Sequence, residues 1–578
     1  MDLSSLKRFE EVASTILWIS LIIVVNYIAS VFEVPTWVTV GRVTYRITAQ
    51  PMVGDVDLMI STFLTIASLT PLIVKKVKDL TYVALLTVLT VLTYMYVFKL
   101  SLILYSITFS TALALTYVRL GFKKVVYGLL YAVVAFQLPS LIYYVSLMLG
   151  FKAVFLAGVS NFMIRFQALT WFLTPTSMVA YVVLLSLSKL KVVKPKDGVG
   201  GGLNGLSDSS KHPLRIYLIV GVVLSVLVGL ITYLPTVNPY LIPTNVDWIH
   251  YYNALNRMAR SEDYVSEAFK AWYSFGDRVA YMLLTYWLWR FLNVDLRVFA
   301  IYHNVLWLPL YTLSLYYLAK EVLGVERGKY VLLIAPFTPQ TLSFLYGGYQ
   351  ADLLAVTLIY FSIALALKPK LWRACLAVAI STLALFTHVW SWTQYLIVLT
   401  AYLILTTPLT LKRRWRASLN LRFLLTLTLM TSVGAVIELI GVYRLHIYSS
   451  FDLLNTALKL LSRFKPSLKG YLSNLDFYLN IYTGGSLNNP IYYVASIASA
   501  LTVGFTNDLI SLNYLSFLAM TALSGVYAHR ILVNTPTALA LTTTLSYLEP
   551  NDRKALILCL ITSFLSKALG FIPNLPLS

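Results

Sequence analysis

Residues 243–258, PTNVDWIHYYNALNRM, place a carboxylate, an imidazole and a phenol close together in a mostly apolar chain. Pro, Thr and Asn before the aspartate are typical of a helix start, so Asp247 is predicted in the first turn, with His250 at i+3 and Tyr251 at i+4. One helix face would then carry three groups that can serve acid–base catalysis or metal binding. The alternative is that Asp247 only complements the helix dipole and the aromatic residues form an interfacial belt.

Either chemistry calls for a second carboxylate. Asp352, in YGGYQADLLAV, follows two glycines and opens an apolar segment, so it is predicted either to face an outer vestibule or to cap its own helix. Three more acids lie in the same loop as Asp247, although the first two read more simply as a capping pattern: Glu262, Asp263 and Glu267. Asp247, His250 and Asp352 are therefore the candidate catalytic residues.

Histidines collect near the same predicted side of the chain. Only His212 falls elsewhere, and the other five lie at predicted outer ends of spans or in outer loops: His250, His303, His388, His446 and His529. No HxxxH or HExxH pair accompanies them, so interfacial roles are favoured over direct metal ligation. The metal ligands stay unknown, and a divalent cation is a candidate cofactor.

A basic segment, residues 444–470, falls on this same predicted side, against the usual charge bias of membrane proteins. It includes Arg444, Lys459 and Arg463, and its LLNTALKLLSRF has the amphipathic pattern of a helix lying on a membrane. These three residues are the candidates for binding an anionic headgroup. Nonspecific attraction to anionic lipid is the alternative.

Composition points to an integral membrane protein. Of 578 residues, 58% are hydrophobic and 12% charged, and the mean hydropathy is +0.75, whereas soluble domains have roughly 45–50% apolar residues. The net charge of +21 would suggest nucleic acid in a soluble protein. Here the basic residues gather in short loops such as KPKLWR (368–373) and KRRWR (412–416), as the positive-inside rule predicts. No nucleic-acid partner is therefore expected.

Apolar runs of about 17–25 residues predict an all-α, polytopic transmembrane fold. A first module, residues 1–188, contains six predicted spans and has no assigned role. A flexible, basic, Gly/Ser-rich linker, residues 189–215, separates it from a second module, residues 216–578. The spans predicted in the second module are 216–234, 298–319, 330–346, 350–367, 371–388, 391–407, 422–445, 491–508, 510–528, 531–547 and 555–573.

Charge bias also orients the chain. Counting Lys7 and Arg8 with the basic loops places the N-terminus and the linker in the cytoplasm of a multi-pass protein of the cell membrane. The large loop 235–297 is then extracytoplasmic. Its segment VAYMLLTYWLWRFL, 279–292, is short for a span and is predicted to lie in the outer interface.

The second module resembles the C-type glycosyltransferase (GT-C) superfamily, membrane enzymes that take sugars from polyprenyl-phosphate carriers. The resemblance covers residues 214–450 and rests on NVDWIHYYNALNRM after the first span, the interfacial VAYMLLTYWLWRFL, the helix pair FLYGGYQADLLAVTLIYFSIALAL and ALFTHVWSWTQYLIVLTAYLIL. It implies that Asp247 matches the loop aspartate that acts as base or metal ligand, and that Arg444 meets the carrier phosphate. Where many members have a DxD or ExD pair, this sequence has Asn245 two residues before Asp247, which leaves metal dependence open.

The expected function is transfer of a sugar from a polyprenyl-phosphate carrier to a glycan, lipid or protein acceptor on the extracytoplasmic side of the bilayer. Asp247 would act as general base while Arg444 stabilises the departing polyprenyl phosphate. Two alternatives stay open. One is a membrane transporter or lipid flippase, with polar groups along a midplane path. The other is a non-catalytic membrane scaffold.

Overall fold

The computed structural model describes the second module in most detail. The described stretches are 214–235, 238–245, 247–271, 276–367, 370–411, 421–440, 533–547 and 550–570, with two short strands at 35–40 and 43–48 and scattered residues in 131–149 and 509–517. The predicted linker up to residue 213, most of the first module and residues 441–508 lie outside them. Arg444, Lys459 and Arg463 are in the last of these segments, so their predicted roles stay predictions.

The second module is mainly helical in its described part. In chain order its helices are α1 (Leu214–Leu230), α2 (Trp248–Arg260), α3 (Tyr264–Phe269), α4 (Val279–Leu292), α5 (Leu296–Tyr302), α6 (Asn304–Leu323), α7 (Val325–Gly328), α8 (Val331–Ile334), α9 (Pro339–Tyr346), α10 (Gln350–Leu367), α11 (Leu371–Thr387), α12 (Val389–Leu411), α13 (Leu421–Ile440), α14 (Thr537–Tyr547) and α15 (Pro550–Gly570). Short 3₁₀ turns follow α1 and α8.

Three helical stretches are long and apolar enough to cross a membrane: Leu214–Tyr233, Leu296–Leu323 and Gln350–Leu367. They coincide with predicted spans, so those helices are confirmed as helices. In α10, 83% of the residues are buried within the protein. A helix that is apolar on every side belongs in the centre of a bundle, and α10 packs between α6 and α11.

The span predicted at 330–346 is not one continuous helix. It consists of α8, the 3₁₀ turn Ala335–Phe337 and α9. Pro336 and Pro339 lack the backbone N–H that an uninterrupted helix would use, and the Thr338 hydroxyl accepts a bond from the N–H of Thr341 to begin α9. Most of this broken segment is buried, so its freed backbone groups are covered by protein.

The first module contributes one described element that the all-α prediction did not include. Strands β1 (Pro35–Val40) and β2 (Val43–Thr48) pair antiparallel, with Val40 opposite Val43 at the connection. Only two residues join the strands, which is the usual loop length of a tight hairpin. The hairpin lies between the first two predicted spans, 13–33 and 56–74.

Candidate functional site

Asp247 lies immediately before α2, but its side chain does not cap the helix. The backbone carbonyl of Asp247 accepts the N–H of His250 at 3.0 Å, so the chain enters the first turn without using the carboxylate. The carboxylate is therefore not a hydrogen-bonding cap, and complementing the helix dipole stays the alternative role for this aspartate.

His250 and Tyr251 have different surroundings. His250 is exposed on the surface of α2, whereas Tyr251 is only 1% exposed. Successive helix residues are about 100° apart around the axis, so positions i+3 and i+4 lie on opposite sides of the line through residue i. The predicted shared face is thus divided, with the phenol turned inward and the imidazole outward.

The Tyr251 hydroxyl joins three parts of the chain. It accepts a hydrogen bond from Nη1 of Arg278 at 2.7 Å and another from the backbone N–H of Ala351 at 3.3 Å. The Tyr251 ring also meets the Tyr281 ring edge-on at 5.4 Å. One phenol therefore links α2 to the segment before α4 and to the first turn of α10.

The cation next to the Tyr251 hydroxyl is Arg278, which was not predicted from the sequence. Its guanidinium lies 3.5 Å from the Asp277 carboxylate and 5.8 Å from the centre of the Tyr251 ring. Burial acts to lower the pKa of Arg278, but four nearby groups outweigh burial and raise it; in decreasing order of effect they are Tyr251, Asp277, Asp247 and Asp352. Arg278 is therefore a permanent positive charge within electrostatic reach of both predicted catalytic aspartates.

Tyr251 stays protonated beside this charge. Burial raises its pKa to about 12, an effect that Arg278 opposes and Asp247 reinforces. The phenol is therefore a neutral hydrogen-bonding group at physiological pH.

Gly348 brings Asp247 against the start of α10. A Cβ added to Gly348 would lie 2.7 Å from the backbone N of Asp247 and 2.8 Å from its Cβ, and the φ of Gly348 is +76°. Both the contact and the backbone conformation call for glycine. Asp352 follows four residues later, in the first turn of α10, and both aspartates act to raise the pKa of Arg278.

Asp352 is buried in the first turn of α10, where neighbouring helices supply its partners. The Ser391 hydroxyl, from α12, donates to Oδ1 of Asp352. The Ser391 Oγ also lies 2.5 Å from Nδ1 of His388, and the backbone N–H of Ser391 lies 3.1 Å from that same nitrogen. Asp352, Ser391 and His388 thus form a continuous polar cluster at the junction of α11 and α12.

Asn534 reaches Asp352 from just before α14. With its amide oriented so that Nδ2 faces the carboxylate, Asn534 donates to Oδ1 of Asp352 at 2.9 Å and to Oδ2 at 3.2 Å. The opposite orientation instead directs Nδ2 to Oε1 of Gln394 at 2.9 Å and leaves two acceptors facing each other at Asp352. The first orientation supplies a donor to both oxygens of a buried carboxylate, and the Gln394 amide then donates to the Asn534 oxygen.

The buried His303 supports Tyr251 indirectly, through Tyr281. The Nδ1 of His303 lies 3.2 Å and 3.1 Å from the carbonyls of Phe299 and Ala300, so this nitrogen carries the proton. The Nε2 of His303 then accepts from the Tyr281 hydroxyl at 2.5 Å. His303 therefore acts as a buried structural partner of Tyr281, which packs on Tyr251.

Within the described residues, no group of three or more His, Cys, Asp and Glu side chains is placed to hold a metal ion. His446 and His529 lie outside those residues, as does Arg444, so the predicted role of Arg444 at the carrier phosphate stays a prediction.

The site residues that were not predicted from the sequence are Arg278, Ser391 and Asn534. For Arg278 a local signal existed, because GDR at 276–278 places an ion pair directly before an apolar aromatic helix. Ser391 and Asn534 carried no such signal, since each is a single small polar residue in an apolar segment.

Comparison with known proteins does not add a family to this picture. No family model matches the chain, and no curated protein matches it with significant similarity. Function therefore has to be inferred from the residues and the geometry that surrounds them.

Proposed function

We propose that the chain is a polytopic membrane glycosyltransferase that moves a sugar from a polyprenyl-phosphate carrier to an acceptor on the extracytoplasmic side. The observation that carries this proposal is the approach of Asp247 to the start of α10, where Asp352 and Arg278 also lie. Charged groups from distant parts of a chain are costly to bring together in an apolar bundle. Such clusters are accordingly characteristic of functional sites.

The charge pattern at the two ends of α10 supports an extracytoplasmic site. Its 18 residues span about 27 Å, nearly the thickness of a bilayer core. Asp352 lies at one end, and the basic loop 368–373 follows the other end. Because basic loops favour the cytoplasm, the aspartate end belongs on the opposite side.

The proposed reaction uses Asp247 as general base. The acceptor hydroxyl or amide gives its proton to the Asp247 carboxylate as its oxygen or nitrogen forms a bond to the anomeric carbon of the sugar. The bond between that carbon and the phosphate oxygen breaks, and its electron pair leaves with the polyprenyl phosphate, whose charge Arg444 would stabilise. Exposed His250 can pass the proton to water, while Asp352, buried and held by Ser391 and Asn534, fixes the first turn of α10.

Replacing Asp247 by Asn tests this role. The protein, reconstituted in vesicles, would be assayed with a polyprenyl-phosphate-linked hexose and a mixture of glycan, lipid and peptide acceptors. General-base catalysis contributes about 10²–10⁴-fold, so Asp247→Asn is expected to lower transfer by at least about 10²-fold. Asp295→Asn is the matched control, because Asp295 caps α5 through the N–H of Val298 and asparagine caps equally well.

Two outcomes would count against the proposal. Transfer by Asp247→Asn at the parental rate would remove Asp247 from catalysis. Absence of transfer by the parent from any lipid-linked donor would reject the glycosyltransferase function itself.

A transporter or lipid flippase is the second candidate, favoured by a polar chain that leads from Asp352 into the bundle. The Tyr395 hydroxyl lies 2.8 Å from the carbonyl of Asn534 and 2.9 Å from the Tyr360 hydroxyl. Buried polar groups within apolar helices often mark a transport path. Solvent labelling of a cysteine at position 360 from both sides of the membrane would favour this candidate, whereas protection from both sides would reject it.

A further inference from the structure

The residue that precedes α10 is Tyr349, which is not one of the usual N-cap residue types. The first four N–H groups of a helix have no partner within the helix, and a Ser, Thr, Asp or Asn residue before it normally supplies one. In α10 the N–H of Gln350 donates to the carbonyl of Gly348, and the N–H of Leu353 donates to the carbonyl of Tyr349. The N–H of Ala351 instead donates to the Tyr251 hydroxyl, from a residue 100 positions away in the sequence.

Asp247 and Tyr251 form two attachments between α2 and the start of α10. They are four residues apart, about one helical turn or 6 Å. Asp247 rests on Gly348, and Tyr251 bonds to Ala351. Two attachments one turn apart restrain the angle between the segments as well as their separation, which a single contact does not.

Arg278 holds the phenol in place. It donates to the Tyr251 hydroxyl at 2.7 Å and lies over the Tyr251 ring at 5.8 Å. The Arg278 side chain is only 10% exposed, so this charge-assisted hydrogen bond is formed away from bulk water, where such bonds are stronger. Replacing either Tyr251 or Arg278 would remove this bond and leave the buried polar group of the remaining side chain without it.

We propose that Tyr251 and Arg278 are positioning residues that cap α10 from the outer loop and thereby set Asp352 relative to Asp247. Neither residue needs to touch the substrate for this role. The proposal rests on the proposed function only where it assigns the two aspartates to catalysis. The structural part, capping of α10 by Tyr251, is independent of that function.

Hydrogen exchange measured by mass spectrometry on the full chain in nanodiscs tests the cap directly. Tyr251→Phe keeps the ring and removes the hydroxyl, so amide exchange in a peptide covering 348–355 is expected to become about tenfold faster. Tyr252→Phe is the matched control, because Tyr252 is the next tyrosine on α2 and its ring contacts Trp248 at 5.8 Å. That variant is expected to exchange like the parent in this peptide.

Arg278 variants provide a second measurement. Arg278→Gln is expected to accelerate the same exchange, and Arg278→Lys to restore part of the protection, because an ammonium group can still donate to the phenol but lacks the planar fork. In the transfer assay, kcat should fall for Tyr251→Phe while KM for the lipid-linked donor changes little, as expected for misplacement of catalytic groups rather than lost binding.

The outcomes separate the two proposals. Faster exchange confined to 348–355, in a chain that transfers no sugar, would support the cap and reject the glycosyltransferase function. Unchanged exchange in Tyr251→Phe would overturn the cap even in an active enzyme. Equal acceleration in every helix would also overturn it, because that pattern would indicate a general contribution to stability instead of a local one.

Discussion

Gly348→Ala should reveal how tightly Asp247 packs on the start of α10. A methyl group at this position would approach the backbone N of Asp247 to 2.7 Å and its Cβ to 2.8 Å, well inside van der Waals contact. Overpacking of this kind costs about 1–3 kcal/mol. The positive φ of +76° adds about 1–2 kcal/mol for any residue with a Cβ. The free energy of unfolding should therefore fall by about 2–5 kcal/mol.

Gly324→Ala is the matched control for that experiment. Gly324 also has a positive φ, +83°, but a Cβ there would meet nothing within 4 Å. Reversible unfolding in mixed micelles would compare the two variants, and Gly348→Ala should lose more free energy by at least about 1 kcal/mol. Only Gly348→Ala should also lower sugar transfer, by about 10²-fold, since a displacement of about 1 Å at a catalytic group has this effect. Equal losses in the two variants would refute the contact between Gly348 and Asp247.

Three further predictions follow from buried contacts. Gly434→Ala should destabilise the protein by about 1–3 kcal/mol, because a Cβ there would lie 2.1 Å from the ring of Trp392; unchanged chemical unfolding would disprove this contact. Ser391→Ala removes a donor from the buried Asp352 carboxylate and should lower the free energy of unfolding by about 1–3 kcal/mol. Ser362→Ala should lower it less, because the Ser362 hydroxyl bonds within its own helix. Equal losses in the two variants would contradict the bond between Ser391 and Asp352. Because burial raises the pKa of Tyr251 to about 12, folding favours its neutral form, so stability should fall as pH rises from about 10 to 12. Tyr251→Phe should reduce that fall by about 3 kcal/mol, and an unaltered alkaline profile would argue against the buried phenol.

Helix positions in the second module could be predicted from the sequence because apolar run length is a local property. The span predicted at 350–367 has the same bounds as α10, and Asp352 lies at its start as predicted. The segment 330–346 shows the limit of this reasoning. Its hydropathy suits a span, but Pro336 and Pro339 divide it into short helices because each lacks a backbone donor.

The candidate site was only partly predictable. Asp247 and Asp352 stood out because carboxylates are conspicuous in an apolar chain, but residue type and spacing do not determine whether two distant carboxylates approach each other. The sequence could not predict that His250 is exposed while Tyr251 is buried. The side of α2 that faces the core depends on which other elements pack against the helix. Arg278 was the more predictable residue, because the GDR sequence places its ion pair directly before an apolar aromatic helix.

The sequence by itself determined which segments are apolar helices, which ends carry basic loops, and which acids interrupt the apolar runs. These properties follow from residue type and local spacing. Only the tertiary structure decided which groups pair. The N–H of Ala351 donates to Tyr251, and Ser391 and Asn534 donate to Asp352. Arg278 lies within electrostatic reach of Asp277, Asp247 and Asp352. The physical reason is that a buried polar group must find its hydrogen bond wherever the folded chain places a donor or acceptor, and separation along the sequence does not limit that choice.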